Sequence, residues 1–152
     1  MLKYISILFL GVLTITGEPA PAFSLENVDG QSVALADFSG QVVYLSFWAS
    51  WCQPCIKGFK NSEAIRIKLN KQGVVLINIG IDKDPAKWKK TMERIPMPGL
   101  NLYGGQDNQL KIDYELSKLP AYYIVNKKGE FAYLSDRTDR DIYAEFRALQ
   151  EE

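Results

Sequence analysis

Trp51-Cys52-Gln53-Pro54-Cys55 constrains this chain more than any other stretch. Upstream, Val42-Val43-Tyr44-Leu45-Ser46-Phe47-Trp48 is a short, β-prone apolar run that predicts a buried strand. Downstream, from residue 54 to about residue 72, the chain is charged and compatible with a long helix, with proline in its first turn. The two cysteines therefore fall where a strand hands over to a helix, and they are the only cysteines in 152 residues.

That placement has chemical consequences. The thiolate is the nucleophile in disulfide exchange, and the unpaired N–H groups and macrodipole at a helix N-terminus favour negative charge. Cys52 is expected at the helix cap, facing those groups and solvent, with Cys55 one turn in and more buried. Helical neighbours three apart place their Cβ atoms roughly 5–6 Å apart, whereas a disulfide prefers about 3.8 Å. A Cys52–Cys55 bond is thus expected to form with some strain and to be readily reduced. Two blander roles compete. A structural zinc site takes about four ligands, and the chain offers two cysteines and no histidine. A stabilising disulfide gains most from closing a long loop, and this one spans a single turn.

Composition narrows the classes further. The apolar content of 47% and charged content of 24% are those of a globular chain of one domain. With 18 basic and 18 acidic residues and no basic stripe, nucleic-acid binding has no electrostatic footprint. The absence of histidine removes Ser-His-Asp and Cys-His catalysis and histidine metal ligation. No metal and no cofactor is expected.

Residues 1–16 carry one lysine followed by an apolar run. This fits a signal or export segment, with an extra N-terminal strand as the alternative, and residues 17–152 form the domain. Asp29-Gly30, between Phe23-Ser24-Leu25 and Ser32-Val33-Ala34-Leu35, predicts a β-hairpin. Gly58 predicts a bend or weak point in the helix after the cysteines. Residues 74–81 predict a second buried strand, and Asp84-Pro85 a helix start, with Trp88, Met92 and Ile95 on its inner face. A short strand over 100–103 and a short helix over 109–116 follow. Residues 121–125 and 131–134 then predict an antiparallel hairpin. A capping box at Thr138-Asp139-Arg140-Asp141 predicts a last helix with Ile142, Phe146 and Leu149 on one face. The fold class is α/β, a mixed central sheet flanked by helices with an N-terminal hairpin extension.

Gly17-Glu18-Pro19-Ala20-Pro21-Ala22-Phe23, Asp29-Gly30, Phe47-Trp48-Ala49-Ser50-Trp51-Cys52-Gln53-Pro54-Cys55 and Leu119-Pro120 together resemble the thioredoxin-like superfamily. Within it they look most like the TlpA/ResA-like thiol-disulfide oxidoreductases of bacterial envelopes. Residues 81–83 and 88–90 are similar to members from Bacteroidetes-type bacteria. The resemblance implies a thioredoxin-like fold, and a cis peptide at Leu119-Pro120 opposite the cysteines. Cys52 and Cys55 are implied as catalytic residues. Trp51, Gln53, Pro54, Leu119 and Pro120 are implied as the wall against which an extended substrate lies. It also implies protein disulfide or thiol substrates, a membrane or soluble thiol donor, a monomer, and an exported, periplasmic location, with the cytoplasm left open. The chain departs from the thioredoxin pattern at Ser46, where thioredoxins carry a buried Asp, and at Lys60, where relatives often carry Pro. Water, Asp82 and Lys57 are left as proton acceptors for Cys55.

The function expected is a Cys-Gln-Pro-Cys dithiol/disulfide couple acting on protein thiols, in the reducing direction. A thiol peroxidase is the alternative, weakened by Ala49 where peroxidatic sites carry Thr or Ser. A non-catalytic copper-delivery or other binding module ranks last, since such modules add a histidine ligand.

Overall fold

The computed structural model of the chain describes residues 17–135, with the backbone alone at 133–135, together with Phe146, Leu149 and Gln150. Residues 1–16, expected as an export segment or an extra strand, and the expected capping box and Ile142 lie outside the described residues.

The architecture grows from the apolar run ahead of the cysteines. Every residue of β3 (Val43–Trp48) is buried, as a strand covered on both faces requires. β3 pairs in parallel with β4 (Val75–Gly80) on one side and antiparallel with β6 (Ala121–Val125) on the other. The hairpin of β1 (Ser24–Asn27) and β2 (Ser32–Ala34) attaches through β5 (Leu100–Tyr103), while β7 (Phe131–Ser135) closes the far edge. The result is a seven-stranded mixed sheet in the order β2-β1-β5-β4-β3-β6-β7. This is the thioredoxin-like fold with an N-terminal hairpin.

The strand alternation divides the core. Val43, Leu45 and Phe47 face a cluster with Ile77, Ile79, Leu110 and Tyr114. Tyr44 and Trp48 face the opposite side, where helix α1 (Gln53–Lys71) contributes Phe59 and Leu69 and helix α2 (Pro85–Met92) contributes Trp88. Helix α3 (Asn108–Asp113) covers the first face through Leu110. Phe146 and Leu149 pack together on the second face, with Phe146 edge-on to Tyr44.

Asp84 caps α2 by accepting from Ala86 N–H, with Pro85 in the first turn, as expected. The helix stops at Met92, so Ile95 packs beside the same cluster from a turn rather than from the helix. The turn residue Arg94 donates its N–H to Thr91 O, and Pro96 disfavours helical backbone just ahead of it. α3 stops at Asp113 rather than near residue 116, because Glu115 takes a positive φ of 48°. α1 runs through Gly58 without interruption. The glycine serves a close approach instead: a Cβ there would lie 3.1 Å from the Tyr122 hydroxyl oxygen.

Candidate active site

The register of β3 places the cysteine loop. Trp48, its last residue, pairs with Gly80 at the end of β4, and Phe47 pairs with Ala121 at the start of β6. The chain leaving β3 therefore meets Ile81 and Asp82 on one side and Leu119-Pro120 on the other. The Leu119-Pro120 peptide bond is cis. Leu119 packs against the cluster that holds both cysteines. Pro120 is half-buried at the mouth of β6.

Cys52 occupies the cap of α1 in extended backbone (φ −87°, ψ 95°), and its Sγ accepts from Cys55 N–H at 3.2 Å. The two cysteines are joined in a disulfide with a Cα separation of 5.3 Å. That separation lies inside the range of about 4.4–6.8 Å that disulfides ordinarily span. The spacing of a helix interior, on which strain was expected, does not apply, because Cys52 precedes the helix and is not part of it. The depth of Cys52 also differs from expectation. Both cysteines are buried, Cys52 at 4% exposure and Cys55 at 1%. Trp48, Phe59, Trp88 and Met97 build the apolar bed around them. What faces solvent is Trp51, 67% exposed, together with Gln53 and Pro54.

Asp82 is buried and committed. Ser50 N–H donates to its two carboxylate oxygens at 3.1 and 3.0 Å, and the Ser50 hydroxyl donates to Oδ1. Its backbone carbonyl accepts from the Tyr103 hydroxyl at 2.8 Å. Asp82 thus fixes the loop two residues ahead of Cys52. Lys57 is exposed on α1.

Ser46, which stands where thioredoxins carry a buried Asp, accepts from a buried arginine. Arg66 reaches under α1 and donates to Ser46 Oγ at 3.1 Å, to Asn78 Oδ1 at 3.2 Å and to Ser62 Oγ at 2.9 Å. Its guanidinium lies over the rings of Tyr44 and Phe59, and only 1% of the residue is exposed. Asn78 continues the network to Pro98 O and Asn101 Oδ1. Sequence reading missed this arginine. The signal was two lone polar residues in apolar strands, Ser46 and Asn78, which prove to be register partners. Arg66 stands eleven positions beyond Cys55, about 16 Å along a helix; the network braces α1 and meets the bed around the cysteines through Phe59.

Two of the hollows among the described residues differ in their place relative to the cysteines. The larger, about 340 Å³, is bordered by Val43 and Val125, at the end of the sheet away from the cysteines. The smaller, about 240 Å³, is bordered by Ser50 and Gln53 and adjoins the cysteine loop.

The model of the AhpC/TSA family matches residues 16–134. The chain belongs to the AhpC/TSA family. Among curated proteins it is similar to the thiol-disulfide oxidoreductase ResA of Bacillus subtilis, with 29% identity over 116 residues, covering 75% of this chain and 63% of that protein. It is similar to the same-named protein of Geobacillus kaustophilus, at 29% identity over 114 residues and coverage of 75% and 65%. The chain therefore spans a little under two thirds of these relatives. A thiol:disulfide interchange protein from Bacteroides sp. superposes with a TM-score of 0.79 at 24% identity, covering 90% of this chain and 91% of that one. The thioredoxin domain of a thiol-disulfide oxidoreductase from Bacteroides vulgatus gives 0.76 at 22%, with coverage of 88% and 96%. These structures share the fold described above.

Proposed function

We propose that the protein is a thiol-disulfide oxidoreductase that reduces disulfides in protein substrates through Cys52 and Cys55. The observation that carries this reading is the sulfur pair itself: a disulfide at the cap of α1, with Cys55 N–H directed at Cys52 Sγ. The chain's similarity to the thiol-disulfide oxidoreductases ResA of Bacillus subtilis and Geobacillus kaustophilus supports it. In the reduced protein that N–H and the end of α1 favour charge on Cys52.

The exchange balances without a cofactor. Cys52 thiolate attacks one sulfur of the target disulfide, the target S–S bond breaks, and one target sulfur leaves as thiolate. Cys55 gives up its proton and attacks Cys52 Sγ, which releases the second target thiol and re-forms the Cys52–Cys55 bond. The target gains two electrons and two protons, and a thiol donor, membrane-bound or soluble, restores the dithiol. Because Cys52 is buried in the oxidised form, attack follows reduction and an opening of the bed around it. Trp51, Gln53 and Pro54 on one side and Leu119 and Pro120 on the other form the wall for an extended substrate chain. The reading places a monomer in the bacterial envelope, consistent with the pattern of residues 1–16.

Insulin-disulfide reduction tests the assignment: Cys52→Ser should abolish turnover, and retained turnover would refute it. The couple should lie near the thioredoxin value of about −270 mV, and a potential close to −120 mV would contradict the reducing direction. Peroxide consumption faster than disulfide reduction, with only a thiol donor present, would make the protein a peroxidase instead.

A further inference from the structure

The cleft beside the cysteine loop has an unusual charge. Ser50 and Gln53, which bracket Trp51 and Cys52, border it on one side. Half-buried Ile56 and Ile95 supply its apolar lining, and Lys60 and Arg94 reach it from separate elements, α1 and the turn after α2. Neither of these cations is engaged in a side-chain hydrogen bond or an ion pair among the described residues. Among the described residues no carboxylate lines the cleft, and Glu63 and Glu93, the acidic residues nearest in sequence, are not part of it. The two hydroxyl groups that line it are spent elsewhere. The Thr91 hydroxyl donates to Lys87 O at 3.0 Å, and the Ser50 hydroxyl donates to Asp82.

Two like charges held at one concavity repel each other and raise the local positive potential. The N-terminal end of α1, at Gln53, adds to it. An arginine fork binds a carboxylate in two parallel hydrogen bonds, and the isoleucines suit the methylenes of a glutamate. At about 240 Å³ the hollow has room for side chains of a passing segment rather than for a folded partner.

We propose that this cleft is a specificity subsite for an acidic side chain of the target protein, carried next to the cystine under attack. The proposal rests on the oxidoreductase reading, and it names the substrate class: disulfides flanked by Glu or Asp. A target docked this way has its carboxylate between Lys60 and Arg94 while its cystine lies over Cys52, a few residues along the same extended chain.

Two cystine peptides, identical but for Glu or Gln a few residues from the half-cystine, test it. Each is reduced by an excess of the fully reduced protein at low salt, and product thiols are followed by quenched-flow chromatography. The Glu peptide should react roughly two- to fivefold faster, the size expected of exposed charge pairs. The ratio should fall to about one in Lys60→Gln/Arg94→Gln and invert towards a Lys-flanked peptide in Lys60→Glu/Arg94→Glu. Both sites are exposed, so the fold tolerates the changes. Equal wild-type rates for the two peptides, or a preference that survives in the double glutamine variant, would overturn the subsite. No reduction of either peptide by the wild type would overturn the underlying reading instead.

Discussion

The carboxylate of Asp82 receives both the backbone N–H and the hydroxyl of Ser50. This contact ties the end of β4 to the loop that presents Cys52, across 32 positions of sequence. Asp82→Ala leaves both donors without their acceptor in a buried setting. It should cost about 2–3 kcal/mol in urea unfolding, and slow insulin reduction roughly tenfold or more through misplacement of Cys52. Asp82→Asn, which keeps a carbonyl oxygen, should retain more of both. An alanine variant with wild-type stability and rate would remove Asp82 from any positioning role.

Glycines packed against this region should behave unequally. A Cβ on Gly105 would stand 1.8 Å from the Asp82 carbonyl oxygen, and one on Gly80 would stand 2.2 Å from Trp88 Cδ1. Alanine at either position forces backbone or a buried indole to move, and should cost at least about 1–3 kcal/mol. Gly58→Ala meets only the Tyr122 hydroxyl at 3.1 Å and gains about 1 kcal/mol of helix propensity, so it should lie near neutrality. Comparative thermal unfolding of the three variants checks the order.

The buried arginine should matter for stability more than for chemistry. Arg66→Ala removes its hydrogen bonds to Ser46, Ser62 and Asn78 and its packing on Tyr44 and Phe59. Orphaned polar groups at about 1–3 kcal/mol each, together with the cavity, predict a loss of about 3–5 kcal/mol. The potential of the Cys52–Cys55 couple should stay within about 15 mV of wild type, since the hydrogen bonds of the side chain go to Ser46, Ser62 and Asn78 and not to the sulfurs. A larger shift would show that the network reaches the site.

Stability should fall on the alkaline side. Burial pushes the Tyr123 phenol up to about 12, helped by the nearby charge of Glu115. Burial also pushes Tyr114 up, with Tyr123 and Asp113 adding to it. Tyr123 donates its hydroxyl hydrogen to the Tyr114 carbonyl, and Tyr114 donates to Pro21 O at 2.7 Å. The unfolded phenols lose their protons near pH 10 while the folded ones keep theirs, so the native state binds more protons above that pH. Unfolding free energy is therefore steady below about pH 10 and then declines by about 1.4 kcal/mol per pH unit for each tyrosine, until the folded group itself ionises. Tyr123→Phe should flatten the slope between pH 10 and about 12, measured by urea unfolding at stepped pH.

The sequence was most legible where pattern and chemistry coincide. The buried run into Trp48, the Asp29-Gly30 hairpin, the Asp84-Pro85 helix start and the Cys52 cap are local signals, and each lies where it was expected. Helix ends were less legible. The left-handed Glu115 and the turn before Pro96 end helices whose apolar spacing continues beyond them. The depth of Cys52 was hidden because Leu119 and Met97, which help to bury it, arrive from distant sequence. Arg66 was hidden for the same reason: a charged residue on a charged helix looks solvent-facing until Ser46 and Asn78 are seen as neighbours. The pairing of Lys60 with Arg94 across the cleft likewise exists only in three dimensions.

The most direct measurement is capture of targets by the two single-cysteine variants. Reduced Cys55→Ser protein, mixed with oxidised insulin or an envelope extract, should accumulate a mixed disulfide through Cys52 that dithiothreitol releases, because no second thiol resolves it. Cys52→Ser protein should accumulate none, as the remaining Cys55 lies inside α1 and lacks the cap position that favours a thiolate. Equal capture by both variants, or capture by Cys52→Ser alone, would contradict the assignment of Cys52 as the attacking sulfur.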